Sequence, residues 1–143
     1  MADITRRAEV VWDGNLFEGS GEFSVGSGSI SEMAVSWAAR TEDPAGRTSP
    51  EELIAAAHAS CYAMALSNTL AKGGHPPERL TVTAVVTFDP PKVTKSALTV
   101  QGSVSGLDQA AFADFARQGE EGCPVSNALR GNVEITVDAT LEG

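Results

Sequence analysis

Between Leu53 and Ala71 the chain carries no Asp, Glu, Lys or Arg. This uncharged run lies inside a segment with well-marked helical ends. Ser49 is a good N-cap, because its hydroxyl can accept a bond from an orphan N–H of the first turn. Pro50 occupies the first helical position, where its missing N–H costs nothing. Glu52, three residues after Ser49, completes a capping box. Lys72 suits a helix C-terminus, and Gly73-Gly74 can adopt the left-handed cap. A helix is therefore predicted from Ser49 to Lys72. A surface helix normally keeps one polar face, and this one has none. At about 20 residues it approaches the length of a membrane span. Its many Ala and Ser residues, with His58 and Asn68, make it too weakly apolar for that role. The reading is a buried central helix whose small residues let other elements approach, with Cys61 at its middle.

A chain of 143 residues is expected to form one domain, 1–143. Its net charge of −9 argues against nucleic acid or an anionic membrane as partner, since both need a basic face. The polar start Met1-Ala-Asp-Ile-Thr-Arg reads as neither a signal peptide nor a transit peptide, and no lipidation motif is present; a cytoplasmic protein is expected. Cys61 and Cys123 are too few for a disulfide scaffold. In a reducing compartment such a pair serves redox, catalytic or metal chemistry, or consists of two small buried hydrophobes. Spacing alone leaves both readings open.

Strands are expected at residues 4–13, 16–25 and 30–39, joined by the turn signals Asp13-Gly14-Asn15 and Gly26-Ser-Gly-Ser, as an antiparallel meander. Residues 40–47 form a polar loop before the central helix. Leu80 to Phe88, with Val82, Ala84, Val86 and Phe88 facing inward, should pair as a hairpin with Ala97 to Val104. A second helix is expected from Leu107 to Gln118, with Asp108 as N-cap and Gly119 as stop. Cys123 to Leu129 reads as one or two helical turns with Pro124 first, and Val133 to Leu141 as a final alternating strand. The order βββ-α-ββ-α-β makes the fold α+β, with a six-stranded, largely antiparallel sheet and a long central helix. One twisted sheet covers only one side of a helix that is apolar all round. The pattern therefore predicts an intertwined dimer in which two sheets wrap a shared helical core.

The cysteines differ in setting. Burial of Cys61 in apolar surroundings would raise its pKa and leave it inert unless a cation lies near. Cys123, in Gly-Cys-Pro-Val-Ser, sits at a helix N-cap, where orphan N–H groups favour thiolate; on this reasoning alone it is the more acidic thiol. His58 lies three residues before Cys61, on the same helix face. A zinc site joining His58, Cys61 and Cys123 fits no standard ligand spacing, so a packed, hydrogen-bonded histidine is favoured. Without further information Glu51 is a first-turn acid like Glu52, and Arg40 and Arg47 are solvated loop residues. Trp12 and Trp37 read as packing residues. Phe112 and Phe115 suit either helix packing or an apolar wall over a substrate.

Three runs, Thr48-Ser-Pro-Glu-Glu-Leu-Ile-Ala-Ala-Ala-His-Ala-Ser-Cys61, Met64-Ala-Leu-Ser67 and Gly122-Cys-Pro-Val-Ser126, together resemble the family of osmotically inducible protein C and organic hydroperoxide resistance protein (OsmC/Ohr). His58 and Val125 are similar to the osmotically inducible branch. The resemblance covers nearly the whole chain. It implies a thiol peroxidase for organic hydroperoxides that works without metal, flavin or haem. In that family the helix cysteine is peroxidatic, here Cys61. Its thiolate attacks the peroxide, releases an alcohol and becomes a sulfenic acid. The second cysteine, here Cys123, condenses with it to a disulfide, which a dithiol such as a lipoylated protein then reduces. Glu51 matches the family glutamate that holds an arginine. Arg40, expected at the end of the third strand, matches that arginine, with Arg47 as the other candidate. The guanidinium would lower the Cys61 pKa and hydrogen-bond the peroxide.

At about 1.5 Å per residue, Glu51 and Cys61 lie about 15 Å apart along one helix axis. Glu51 cannot orient an arginine against the cysteine of its own helix. Across two antiparallel central helices it can approach the partner's cysteine, which gives two composite sites per homodimer. Two other readings remain. One is a non-enzymatic, stress-related small-molecule binding module with spectator cysteines. The other is a thiolate hydrolase, which lacks an evident Asp or Asn to orient His58.

Overall fold

Alternation in the sequence overstates the first three strands, and the reason lies in local capping. The computed structural model describes residues 3–142. The chain divides into two compact units, Met1–Leu53 and Ile54–Gly143. In the first, β1 (Ala8–Asp13), β2 (Ser20–Val25) and β3 (Met33–Val35) form the expected antiparallel meander, but each strand is shorter than predicted. Residues 15–19 form a turn instead of opening the second strand. Asn15 Oδ1 accepts the Glu18 N–H at 2.8 Å, and its carbonyl accepts the Gly19 N–H at 2.9 Å. The third strand stops at Val35 because Ser36 caps a helix. Its Oγ accepts the Ala39 N–H at 3.1 Å and starts α1 (Trp37–Thr41). Arg40 therefore lies in the last turn of a short helix, not at a strand end as expected. The following loop returns to β3, where the Thr48 N–H donates to the Ala34 carbonyl at 3.2 Å.

The long helix α2 (Pro50–Lys72) has the predicted ends. Ser49 Oγ accepts the Glu52 N–H at 3.1 Å. The reciprocal half of the capping box is missing, because the Glu52 carboxylate takes the Thr48 hydroxyl at 2.7 Å. At the other end Gly74 adopts φ +86°, and the His75 N–H reaches back to the Leu70 carbonyl at 2.8 Å, a complete Schellman closure. Within one chain the helix is not buried all round. His58, Tyr62, Leu66 and Leu70, spaced by four, are fully buried. Ser60, Met64 (70 % exposed), Asn68 and Ala71 line an open, uncharged face.

In the second unit, β4 (Arg79–Asp89) and β5 (Lys92–Ser103) form the expected antiparallel hairpin, with Leu80, Val82, Ala84, Val86 and Phe88 turned inward and the intervening residues exposed. After α3 (Gln109–Glu121) and α4 (Pro124–Leu129), β6 (Glu134–Leu141) joins β5 in parallel. The six strands thus form two three-stranded sheets, β1-β2-β3 and β4-β5-β6, and not one sheet of six. Alternation reports which residues are strands; lateral partners are set by contacts distant in sequence, which alternation does not encode.

The core of this unit joins Tyr62, Leu66 and Leu70 of α2 to Leu98 and Val100 of β5 and Phe112 and Ala116 of α3. Asp108 caps α3 as predicted, accepting the Ala111 N–H at 2.8 Å. Gly119 does not end that helix. A Cβ there would stand 3.1 Å from both Cα and Cβ of Leu66, so this glycine is what lets α3 approach α2. The helix continues to Glu121 and so carries Cys123 onto α2. Among the described residues, no helix is long and apolar enough to cross a membrane.

Candidate active site

Cys61 and Cys123 come together within the second unit. Cys61 lies on α2, half-buried; Cys123 is the N-cap residue of α4 and is fully buried; both are free thiols. Cys123 makes no side-chain capping bond to its own helix. Instead it lies beside Cys61, close enough for the two thiols to interact, and the Val125 backbone N–H, in the first turn of α4, lies beside the Cys61 sulfur. Burial pushes the Cys61 thiol above its ordinary value of 9.0; the Val125 N–H opposes this, and the neighbouring Cys123 adds to it. The orphan N–H of the short helix thus serves Cys61, which the sequence pattern alone attributed to Cys123.

His58, one turn before Cys61, is a packed, hydrogen-bonded residue. Its Nδ1 bonds Ser96 Oγ of β5 at 2.6 Å, and its Nε2 bonds Ser126 Oγ of α4 at 2.7 Å. All three side chains are fully buried. Burial lowers the His58 pKa, against a smaller upward pull from Glu120, so the ring is neutral near pH 7. Glu120, also buried, accepts Arg130 Nη1 at 2.8 Å, and Arg130 Nη2 donates to Asn127 Oδ1, in the last turn of α4, at 3.0 Å. Tyr62 donates its hydroxyl to the Ala116 carbonyl at 2.8 Å; burial, with Glu120 and Cys123 near, raises its pKa.

Arg40 and Glu51 come together within the first unit. Arg40 Nε and Nη2 donate to Glu51 Oε1 and Oε2 at 2.8 and 2.7 Å, a bidentate fork. Glu51 is buried, and the Trp37 ring lies 5.7 Å from the guanidinium carbon. The local chain explains the pairing: α1 ends with Arg40, and the loop anchored at Thr48 brings the first turn of α2 back beside it. Arg47 lies within that loop, its N–H on the Pro44 carbonyl at 2.9 Å. Ser96, Ser126, Tyr62, Glu120 and Arg130 were not singled out from the sequence. Ser126 alone carried a signal, lying in the Gly-Cys-Pro-Val-Ser run.

With this geometry in view, residues 41–138 match the model of the OsmC-like protein family. The chain is also 36 % identical to peroxiredoxin OsmC of Escherichia coli (strain K12), over 97 % of this chain and 98 % of that protein. The chain belongs to the OsmC family. Within it, the chain is 27 % identical to organic hydroperoxide resistance protein-like 2 of Staphylococcus epidermidis, over 66 % of this chain and 69 % of that one. Among solved structures it is similar to an organic hydroperoxide resistance protein OsmC from Legionella pneumophila, with TM-score 0.73, 25 % identity, and 98 % and 99 % of the two chains covered. The family's mixed α+β fold is the one described above, and the two cysteines and the Arg40–Glu51 pair lie on its elements.

Proposed function

We propose that this OsmC-family protein is a thiol-dependent peroxidase that reduces organic hydroperoxides to alcohols. The observation that carries the reading is the pairing of the Cys61 and Cys123 thiols as interacting neighbours where α4 meets α2. The names of its relatives, peroxiredoxin and organic hydroperoxide resistance protein, support the same chemistry. The Cys61 thiolate attacks the distal oxygen of ROOH; the O–O bond breaks, the alkoxide takes a proton and leaves as ROH, and Cys61 becomes a sulfenic acid. The Cys123 thiolate displaces hydroxide from that sulfur, giving water and a Cys61–Cys123 disulfide. A dithiol, of lipoyl or similar type, then returns both thiols and is itself oxidised to a disulfide.

Cys61 alone is a reluctant nucleophile, since burial disfavours its thiolate. A guanidinium supplies the missing stabilisation. In the proposed homodimer it is Arg40 of the partner subunit, held by its Glu51 fork, because about 15 Å of helix axis separates Glu51 from Cys61 of the same chain. The open, uncharged face of α2 is consistent with a second copy lying there.

The competing reading, a small-molecule binding module with spectator cysteines, draws on the same burial of Cys61. Steady-state consumption of cumene hydroperoxide with dihydrolipoamide separates the two. The peroxidase reading expects turnover that Cys61→Ser abolishes, and faster reaction with cumene hydroperoxide than with hydrogen peroxide. Turnover that survives Cys61→Ser, or none in the wild type, contradicts it.

A further inference from the structure

The thiol pair is not the only link between α2 and α4. His58 precedes Cys61 by one turn, and Ser126 follows Cys123 by one turn; the His58–Ser126 bond and the Cys61–Cys123 contact are therefore two rungs joining the same two helices. We propose that His58 and Ser126 are positioning residues for the resolving step, holding the Cys123 sulfur on Cys61 so that the sulfenate is captured as a disulfide. This rests on the peroxidase reading and adds to it a residue pair outside the two thiols.

Three features carry the inference. First, α4 spans Pro124–Leu129 and has no side-chain cap, so it is too short to hold its own position; tertiary bonds must set where Cys123 sits. Second, the rung is fully buried and fixed at both ends. A neutral imidazole has one N–H and one acceptor nitrogen. Ser126 takes one and Ser96, on β5, takes the other, so the ring cannot turn away from α4 without stranding a buried polar atom. Third, the far end of α4 is tied separately to α3, through Arg130 to the Glu120 carboxylate and carbonyl. Loss of the rung would therefore free the Cys123 end of α4 while the other end stays attached. A disulfide tolerates only a narrow range of Cα separation, so a small displacement of Cys123 is costly for bond formation.

The experiment follows both half-reactions in single turnover. Reduced protein receives one equivalent of cumene hydroperoxide; Cys61 sulfenate is trapped with dimedone, and the Cys61–Cys123 disulfide is quantified by peptide mapping over time. In Ser126→Ala, disulfide formation should slow about 10- to 100-fold relative to sulfenate formation, the cost of a displacement of about 1 Å at a reacting centre. Ser126→Thr, which keeps the hydroxyl, should restore the wild-type ratio. Ser96→Ala, which unties only the far ring nitrogen, should shift it in the same direction by less. A wild-type ratio in Ser126→Ala overturns the proposal. So does an equal loss of both half-reactions, since the bond would then serve the fold as a whole. If wild-type protein forms no sulfenate, the peroxidase reading itself fails, and the two failures are distinct.

Discussion

Replacing Arg40 should cost more stability than replacing Glu51, although either change removes the same ion pair. The difference follows from exposure. The Arg40 side chain is 28 % exposed and the Glu51 side chain 9 %. In Arg40→Ala the carboxylate is left in a buried site without its two charge-assisted donors. Stripping a buried ion of its partner costs about 3–5 kcal/mol, and the low end, about 3 kcal/mol, applies where the site is near an opening. The same change removes the guanidinium from the Trp37 ring. In Glu51→Gln the guanidinium keeps that ring and can hydrate through its exposed part, so the loss is about 1 kcal/mol, near the value for a half-solvated pair. In the double variant the buried group is an amide, which is cheaper to leave unpaired than a carboxylate. It should be more stable than Arg40→Ala alone by about 1–2 kcal/mol. Urea unfolding of the reduced wild type and the three variants, at one protein concentration to remove effects of association, measures all four free energies. Equal losses in the two single variants, or a double variant less stable than Arg40→Ala, would refute the argument from asymmetric burial.

Further consequences can be checked alongside. On the proposed composite site, Arg40→Ala should slow sulfenate formation at pH 7 about 10- to 1000-fold and move its pH dependence upward, because a neighbouring guanidinium lowers a thiol pKa by about 1–3 units and Cys61 would return to the raised value set by burial; an unchanged pH–rate profile would remove Arg40 from the chemistry. Gly119→Ala should destabilise the protein by about 1–3 kcal/mol, since the new methyl meets the Leu66 backbone; urea unfolding at the wild-type midpoint would contradict this. His58 is held below its ordinary pKa of 6.5, so the unfolded chain binds its proton first as pH falls. The contribution from neutral His58 is complete above pH 6.5 and is lost as pH falls through the folded value; a pH series of unfolding free energies should decline below about 6.5, and His58→Gln should remove that part of the decline. Tyr62→Phe should cost about 1 kcal/mol in urea unfolding by removing the buried hydrogen bond from its hydroxyl to the Ala116 carbonyl.

The elements with strong local signals were legible in the sequence. The ends of α2, the cap of α3, the start of α4 and the β4–β5 hairpin follow from Ser49, Asp108, Pro124 and the alternation around Val82 to Phe88. Errors arose where a local device interrupted a plausible pattern. Ser36 starts a helix inside the apparent alternation of Met33, Val35, Trp37 and Ala39. Gly119 looks like a helix stop and is instead a contact point, because its neighbour Leu66 is distant in the chain. The parallel pairing of β6 and the division into two sheets depend on lateral contacts that no periodicity records. Of the candidate site residues, the cysteine motifs marked Cys61 and Cys123, and the resemblance marked Arg40 and Glu51. The partners of His58 lie 38 and 68 residues away, which is why its bonds to Ser96 and Ser126 were invisible before the fold was known.

The measurement that tests the central claim most directly is intact mass with peptide mapping after one equivalent of cumene hydroperoxide. The account predicts a Cys61–Cys123 disulfide within one chain, with loss of two hydrogens and no retained oxygen. Oxygen retained at Cys61 without a bridge would remove Cys123 from the cycle. Two unmodified thiols would contradict the peroxidase account and leave the binding module.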